Sequence, residues 1–400
     1  MYTATKNIQL PTTITGSLPR PLWYTENLGR RSFMEAMVNS RFREQYTDAV
    51  SCFLRDQEIA GLDIVTDGDA RFDTEIGGYS WFSYPLTRLD GIDFSTAYGR
   101  PTLMGRVPFP RGHILHEGLE ARIQPTIIGP IGRGKLQYTP LFLTVQSLTD
   151  RPVKFGSITA ELLGLALKDN HYKSRRERIL AIADALNAEL AEVVKNGCTV
   201  IQLEEPQIHL LGLRGGVDAE MTLDFMVEVF NRTVKGLRDK CEVWGHSCWG
   251  NPSQQRMFAT AQTYKPTLAL YNQCDADVLT FETCSSAGMD LEAIGKEITG
   301  KKIAIGVIDH HTLQVETPDE VAGFIRRALK HIPPDRLVIS SDCGMGREGM
   351  SRRHAFYKIV ALVRGANIVR KELGLPEAEC LVEDPRYTLV PGGATTKVSA

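Results

Sequence analysis

Four residues far apart in the chain have the side chains to hold one metal ion: His246 and Cys248 in WGHSC, Glu282 in TFET and Cys343 in SSDCGMG. His246 and Cys248 stand two positions apart, so on an extended strand both point to one face. Glu282 ends the next β-rich run and Cys343 follows the last one. Nitrogen, sulfur and oxygen donors in this ratio suit tetrahedral zinc. Any one of these residues alone would ordinarily be a buried thiol or a core histidine. Four of them at strand ends argue for a shared ion. Two thiolates and a carboxylate on a divalent cation leave the site net negative, which makes a poor Lewis acid for water. It makes a good site for a thiol, which loses its proton on coordination and stays electron-rich enough to attack carbon. Glu282, the only oxygen donor of the set, is the ligand expected to yield to incoming sulfur.

In GVIDHH, Asp309 and His311 alternate onto one face, so the acid can orient the imidazole and His311 is the general-acid candidate. A structural histidine is the competing reading, and the better one for His310. Ser17, Asp69 and Glu204 make a substrate-recognition set. Two carboxylates and a hydroxyl at neighbouring strand ends suit an ammonium or several hydroxyls on a small molecule, although helix capping competes for Ser17 and Asp69.

These residues need a scaffold that gathers strand ends. Eight β-rich runs, at residues 10–17, 62–67, 153–159, 199–204, 242–248, 277–283, 302–309 and 336–342, mostly precede helical patterns. Ile179, Leu180, Ala183, Leu186, Leu190 and Val193 form an apolar stripe before Gly197. Thr317, Pro318 and Glu320 read as a capped helix start, with the helix running to His331. Eight βα units predict a single (β/α)8 TIM barrel domain over residues 1–400, whose site lies at the C-terminal ends of the strands. Residues 70–150 are too long for a βα loop and read as an inserted hairpin between strands 2 and 3. Phe72, Tyr79, Trp81, Phe82 and Tyr84 lie near its start. This insertion either covers the barrel mouth as a lid or only packs on the barrel or another subunit.

Composition is consistent with an enzyme of this size. Of 400 residues 42% are hydrophobic and 24% charged, which suits a globular protein with a sizeable core. A net charge of -2 provides no basic field for nucleic acid or anionic lipid. The N-terminal stretch lacks a signal-peptide core and no run is long enough for a membrane span, so a cytoplasmic location is expected. Eight dispersed cysteines read as reduced thiols and not as a disulfide framework.

With these motifs in hand, the chain resembles the cobalamin-independent methionine synthase family, in its C-terminal catalytic barrel, over nearly its whole length. The resemblance rests on TTITGSLPRP, GLDIVTDGD, QSLTDRPVKF, IQLEEP, HSC, DADVLTFET, GVIDHH and SDCGMG. It implies catalytic zinc on His246, Cys248, Glu282 and Cys343, an acid at His311 and thiol-amino-acid contacts at Ser17, Asp69 and Glu204. It further implies methyl transfer to the sulfur of a small thiol. Full-length members of that family carry a second, N-terminal barrel, for which 400 residues leave no room; a shorter core form resembles this chain in length.

Two local departures bear on the substrates. Where the family has a Thr-Gly-Pro turn and a tryptophan for the pterin, this chain reads FGSITAELLG with Leu163 near the tryptophan position. Leu210 stands where the family has an acid after its Glu-Pro motif. The acceptor thus stays open between homocysteine, coenzyme M and another thiol. The donor stays open between a folate, a methyl-corrinoid or its carrier protein, an epoxide and another alkylated molecule, and the oligomeric state is also open. The nearest alternative is an epoxyalkane:coenzyme M transferase, which wants cations such as Arg20, Arg71 or Arg133 at the mouth. A metal-free lyase related to uroporphyrinogen decarboxylase shares the barrel but needs no such ligand set. In a further alternative the zinc is structural and the chain a binding module, although structural sites favour cysteine-rich loops over ligands from separate strand ends.

Overall fold

The computed structural model describes residues 2–24, 31–71, 80–94, 125–165, 167–204, 207–213, 219–249, 263–346 and 350–383. Strands among these residues begin with β1 (Ile92–Asp93), β2 (Thr126–Ile127), β3 (Lys154–Ile158), β4 (Lys168–Asp169) and β5 (Val200–Glu204). They continue with β6 (Glu242–Ser247), β7 (Val278–Phe281), β8 (Lys302–Gly306) and β9 (Leu337–Ser340). A parallel sheet takes the order β3-β5-β6-β7-β8-β9. Its strands β5, β6, β7, β8 and β9 are buried at every residue, as strands covered on both faces must be.

The helices between these strands form where the sequence signals place them. Ser174 caps Arg175–Lys195 by accepting from the Glu177 amide, and Gly197 beyond its end takes a left-handed φ of 99°. The capping box of Thr317 and Glu320 is present on Pro318–Leu329, which stops just short of His331. Most of the buried apolar side chains form one continuous core that includes those on the inner faces of these helices. A second cluster of Ile64, Val200, Trp244, Val278, Ala304 and Val338 has Tyr2 and Ala4 packed against it. Further along the same faces come Glu204, His246, Glu282 and Asp342, all buried. The sheet's inward side therefore carries an apolar layer at mid-strand and an ionisable layer at the C-terminal strand ends.

The expected eight-stranded barrel appears only in part, because the described residues show six main strands and no closed barrel. The first two expected strands are reduced to single parallel bridges, Thr12 with Ile339 and Val65 with Val153. Side chains have taken the ladder amides. The Thr12 amide donates to Asp63 Oδ2 at 2.7 Å, Thr15 to Ser341 Oγ at 2.9 Å and Thr66 to Gln57 Oε1 at 2.8 Å.

The insertion also differs from expectation. Residues 80–86 are helical, and Phe82 and Tyr84 are buried. Tyr84 donates its hydroxyl proton to the Gln137 carbonyl at 2.9 Å. A short antiparallel pairing does exist, but between β1 and β2, with β4 added in parallel. Phe72, Tyr79 and the Trp81 side chain, together with residues 95–124 of the expected insertion, lie outside the described residues.

Candidate functional site

His246 is in β6 and Cys248 follows that strand directly, so strand alternation brings both to the inner face. Cys343, in the loop after β9, meets them, and the Cys343 and Cys248 sulfurs are 3.7 Å apart. One ligating atom from each of His246, Cys248 and Cys343 lies within 4.8 Å of the others. Neither ring nitrogen of the buried His246 has a hydrogen-bond partner among the described residues. A buried imidazole left this way is costly unless something else takes its lone pair. Burial pushes the His246 pKa down to about 3, and Lys154 and His209 add to the effect. The ring is therefore neutral, the form that ligates a metal. Glu204 Oε2 is 3.6 Å from Nε2, too far for a hydrogen bond and no ion pair to a neutral ring.

The Cys248 thiol is raised well above its usual range by the Cys343 hydrogen bond first, then by burial and nearby negative charge. Pressed against a second sulfur in a buried acidic pocket, Cys248 holds its proton; a cation between the two sulfurs reverses that preference. The donor set and the orphaned imidazole thus fit a soft divalent metal.

Glu282 lies beside this trio, grouped with His310 and His311. Its carboxylate is held at both oxygens: Ser285 Oγ donates to Oε1 at 2.6 Å and the Trp249 amide to Oε2 at 2.7 Å. Burial raises the Glu282 pKa, against His311, Ser285 and the Trp249 amide. His311 Nδ1 is 3.9 Å from Glu282 Oε1 and 3.1 Å from Asp309 Oδ1.

Asp309 and His311 do meet, but not as alternate residues of a strand, because β8 ends at Gly306. The pairing is made by a turn in which Asp309 Oδ1 also accepts the His311 amide at 2.8 Å. His311 Nε2 has no partner among the described residues. It is the free end of an imidazole whose other nitrogen is held by a carboxylate.

Ser17 and Asp69 come together through the backbone. The Leu18 amide donates to the Gly68 carbonyl at 3.0 Å, and the Met345 amide donates to the Ser17 carbonyl at 2.7 Å. A Cβ on Gly344 would fall 2.6 Å from Ser17 Oγ, so only glycine lets the Cys343 loop lie this close. Asp69 takes a left-handed φ of 53° beside Arg71, whose Nε donates to Asp67 Oδ2 at 2.8 Å. Glu204 ends β5 and accepts from Gln202 Nε2 at 2.9 Å. Lys154 lies fully buried over the Trp244 ring at 4.5 Å. Burial lowers its pKa to about 7 against the pull of Glu204, Asp69 and Glu242.

Sequence reasoning missed two residues here. Asp342 Oδ1 accepts the Thr283 and Cys284 amides, both at 2.8 Å, and Oδ2 accepts Ser285 at 2.7 Å. It thereby ties the loop after Glu282 to the residue next to Cys343. Its place beside a candidate ligand in SDCG was the available signal. His209, which contacts the Cys248 carbonyl, had none.

The family profile described as "Cobalamin-independent synthase, Catalytic domain" matches residues 101–367. A methionine synthase of Saccharolobus solfataricus is 27% identical over 379 residues, covering 91% of this chain and 96% of that protein. A 2-hydroxypropyl-CoM lyase of Xanthobacter autotrophicus is 29% identical over 398 residues, covering 92% and 97%. The solved B12-independent methionine synthase from Shewanella sp. W3-18-1, in complex with selenomethionine, superposes with a TM-score of 0.73 at 28% identity. That match covers 92% of this chain and 99% of the other. No helix of the described residues is long and apolar enough to cross a membrane.

Proposed function

The chain belongs to the cobalamin-independent synthase family through its catalytic domain, and from that membership we propose that it is a zinc-dependent enzyme transferring a methyl or other alkyl group to the sulfur of a small thiol. The observation that carries the reading is the buried trio of His246, Cys248 and Cys343, with an imidazole that no other described residue satisfies. These three residues would hold zinc, with Glu282 at the side as the exchangeable fourth ligand. When bound, zinc supplies a site where a thiol is held as thiolate at neutral pH. The chain's own groups do the rest. Asp309 fixes His311 in the orientation that leaves Nε2 free to protonate the donor's leaving group. Ser17, Asp69 and Glu204 hold the acceptor.

The fold reading that accompanies this function is one catalytic domain with a closed (β/α)8 ring. Backbone bonds support it: Ile64 donates to the Thr12 carbonyl at 3.1 Å and Lys154 to the Val65 carbonyl at 2.8 Å. In this reading the segments near Thr12 and Val65 bridge β9 to β3 and residues 70–150 are an insertion.

The charges favour an acceptor that carries an ammonium group. Arg71 is tied to Asp67 and lies 3.7 Å from Asp69, and Arg133 pairs with Glu189. Arg20 lies over the Tyr24 ring. The three arginines considered for a sulfonate acceptor are thus already paired or stacked. The similarity to a 2-hydroxypropyl-CoM lyase keeps coenzyme M as the second reading.

The test is metal analysis of the purified protein and of Cys248→Ala and Cys343→Ala. An alkylation assay with homocysteine and coenzyme M runs alongside, each offered methyl-folate polyglutamate and methylcobalamin. We expect one zinc in the parent protein and joint loss of metal and turnover in both variants. The expected acceptor is homocysteine, with the corrinoid as the better donor because Leu163 is buried where a pterin platform would stand. Full zinc occupancy and turnover in Cys343→Ala would sink the assignment.

A further inference from the structure

His209 is in the helix Gln207–Leu213, which closely follows Glu204 at the end of β5. The imidazole is fully buried and contacts groups from two other segments. Nε2 is 2.9 Å from the Cys248 carbonyl, and Nδ1 is 2.9 Å from the Tyr271 hydroxyl. A carbonyl only accepts, so Nε2 must carry the ring proton and Nδ1 must accept from Tyr271. The Tyr271 oxygen accepts in turn from Ser247 Oγ at 2.6 Å. The hydrogen bonds therefore run one way, from Ser247 through Tyr271 and His209 to the carbonyl of Cys248. They start and end on adjacent residues of the HSC segment.

The surrounding contacts close this clamp. Tyr264 donates to the Ser247 carbonyl at 3.1 Å, and the Trp249 ring stands edge-on to His209 with centroids 4.6 Å apart. Trp249 also gives its amide to Glu282. The backbone on both sides of Cys248 is thus fixed while its sulfur is directed toward His246 and Cys343. A histidine that merely fills the core would satisfy its nitrogens on any nearby groups. This one meets the Cys248 carbonyl directly with one nitrogen and reaches the neighbouring Ser247 side chain through Tyr271 with the other.

Resting on the zinc reading above, we propose that His209 is a positioning residue for the metal: its enforced tautomer holds the Cys248 carbonyl and so sets where the ligating sulfur stands. Partners outside the ligand shell that orient a metal ligand commonly account for a factor of about 10 to 100 in affinity. His209→Leu should weaken Zn2+ binding by about that factor, read by competition with a chromogenic chelator on the full chain. In the Co2+-substituted protein, the sulfur-to-cobalt charge-transfer band should shift.

His209→Gln, whose side-chain amide keeps a donor for the carbonyl, should recover most of the affinity. Tyr271→Phe, which removes the hydroxyl joining His209 Nδ1 to Ser247 Oγ and leaves the bond to the Cys248 carbonyl, should give a smaller loss with the same spectral shift, and it serves if His209→Leu does not fold. Wild-type affinity and spectrum in a folded His209→Leu, or in Tyr271→Phe where the leucine variant does not fold, would overturn the proposal. So would a glutamine variant no better than leucine. If the parent protein binds neither Zn2+ nor Co2+, the metal reading itself fails, and this inference with it.

Discussion

Replacing Arg71 by methionine removes a cation tied to two buried carboxylates while keeping much of the side chain's length. The guanidinium is inaccessible to solvent, donates to Asp67 Oδ2 at 2.8 Å and to the Gly156 carbonyl at 2.5 Å, and lies 4.0 Å from the Phe155 ring centre. Burial pulls its pKa down, but Asp67 and Asp69 pull harder, and the net shift is upward. Asp67 and Asp69 are themselves only 1% and 5% exposed. Breaking a pair this deeply buried leaves an uncompensated charge, which costs about 3–5 kcal/mol. A typical domain has about 5–15 kcal/mol in all. Urea unfolding followed by circular dichroism gives the difference directly.

The same variant should bind the acceptor thiol more weakly, because Asp69 Oδ1 loses the cation 3.7 Å away that orients it. The charge argument has its own control. Asp67→Asn combined with Arg71→Met should be more stable than the sum of the single losses, since the second change removes the stranded charge. A loss below about 1 kcal/mol, the worth of an exposed pair, or strict additivity in the double variant would refute the reasoning.

His311→Ala should keep its metal and its thiol but turn over about 100- to 10,000-fold more slowly, with much of the rate restored by a donor whose leaving group needs no proton. Loss of metal, or an equal deficit with both kinds of donor, would assign the histidine another role. In Gly306→Ala the new Cβ would stand 2.5 Å from Asp342 Cα and 2.7 Å from its amide nitrogen. That should cost about 1–3 kcal/mol and displace Asp342 from the amides of residues 283–285. Unfolding and metal content measured together check this, and wild-type values for both would contradict it. Burial raises the Asp309 carboxyl, but the hydrogen bonds and charge of His311, with Lys358 beyond, outweigh it, and the folded pKa is lowered. Its stabilisation is therefore present above the ordinary carboxylate value and lost as pH falls through the folded one. Asp309→Asn should lose stability against the parent near neutrality and lose less in acid; a deficit independent of pH would count against the pairing.

Much of the candidate site was legible because its chemistry depends on residue type at strand ends. His246, Cys248, Glu282 and Cys343 are unusual residues to find there, and period-two alternation alone sends His246 and Cys248 to one face. Six of the eight expected strands formed within a few residues of their predicted limits, because buried parallel strands read as continuous β-branched and aromatic runs. The helices followed from caps and apolar stripes, which are also local signals.

The remaining features depend on which side chains meet which backbone and polar groups once the chain is folded. Asp63, Gln57 and Ser341 divert the amides of the first two expected strands, and although Asp63 stands in the 62–67 run itself, nothing in the sequence announces which amides these side chains take. Asp309 and His311 looked like strand neighbours, yet a side-chain turn beyond β8 makes their contact. His209 resembles any core histidine until Tyr271 and Cys248 stand on either side of it. Residue type and period are written along the chain, so the sequence by itself determined the donor set and most of the strands that carry it. Only the tertiary structure could decide which buried polar atoms find partners, and among the described residues it left His246 unsatisfied beside two thiols, because hydrogen-bond satisfaction depends on three-dimensional proximity.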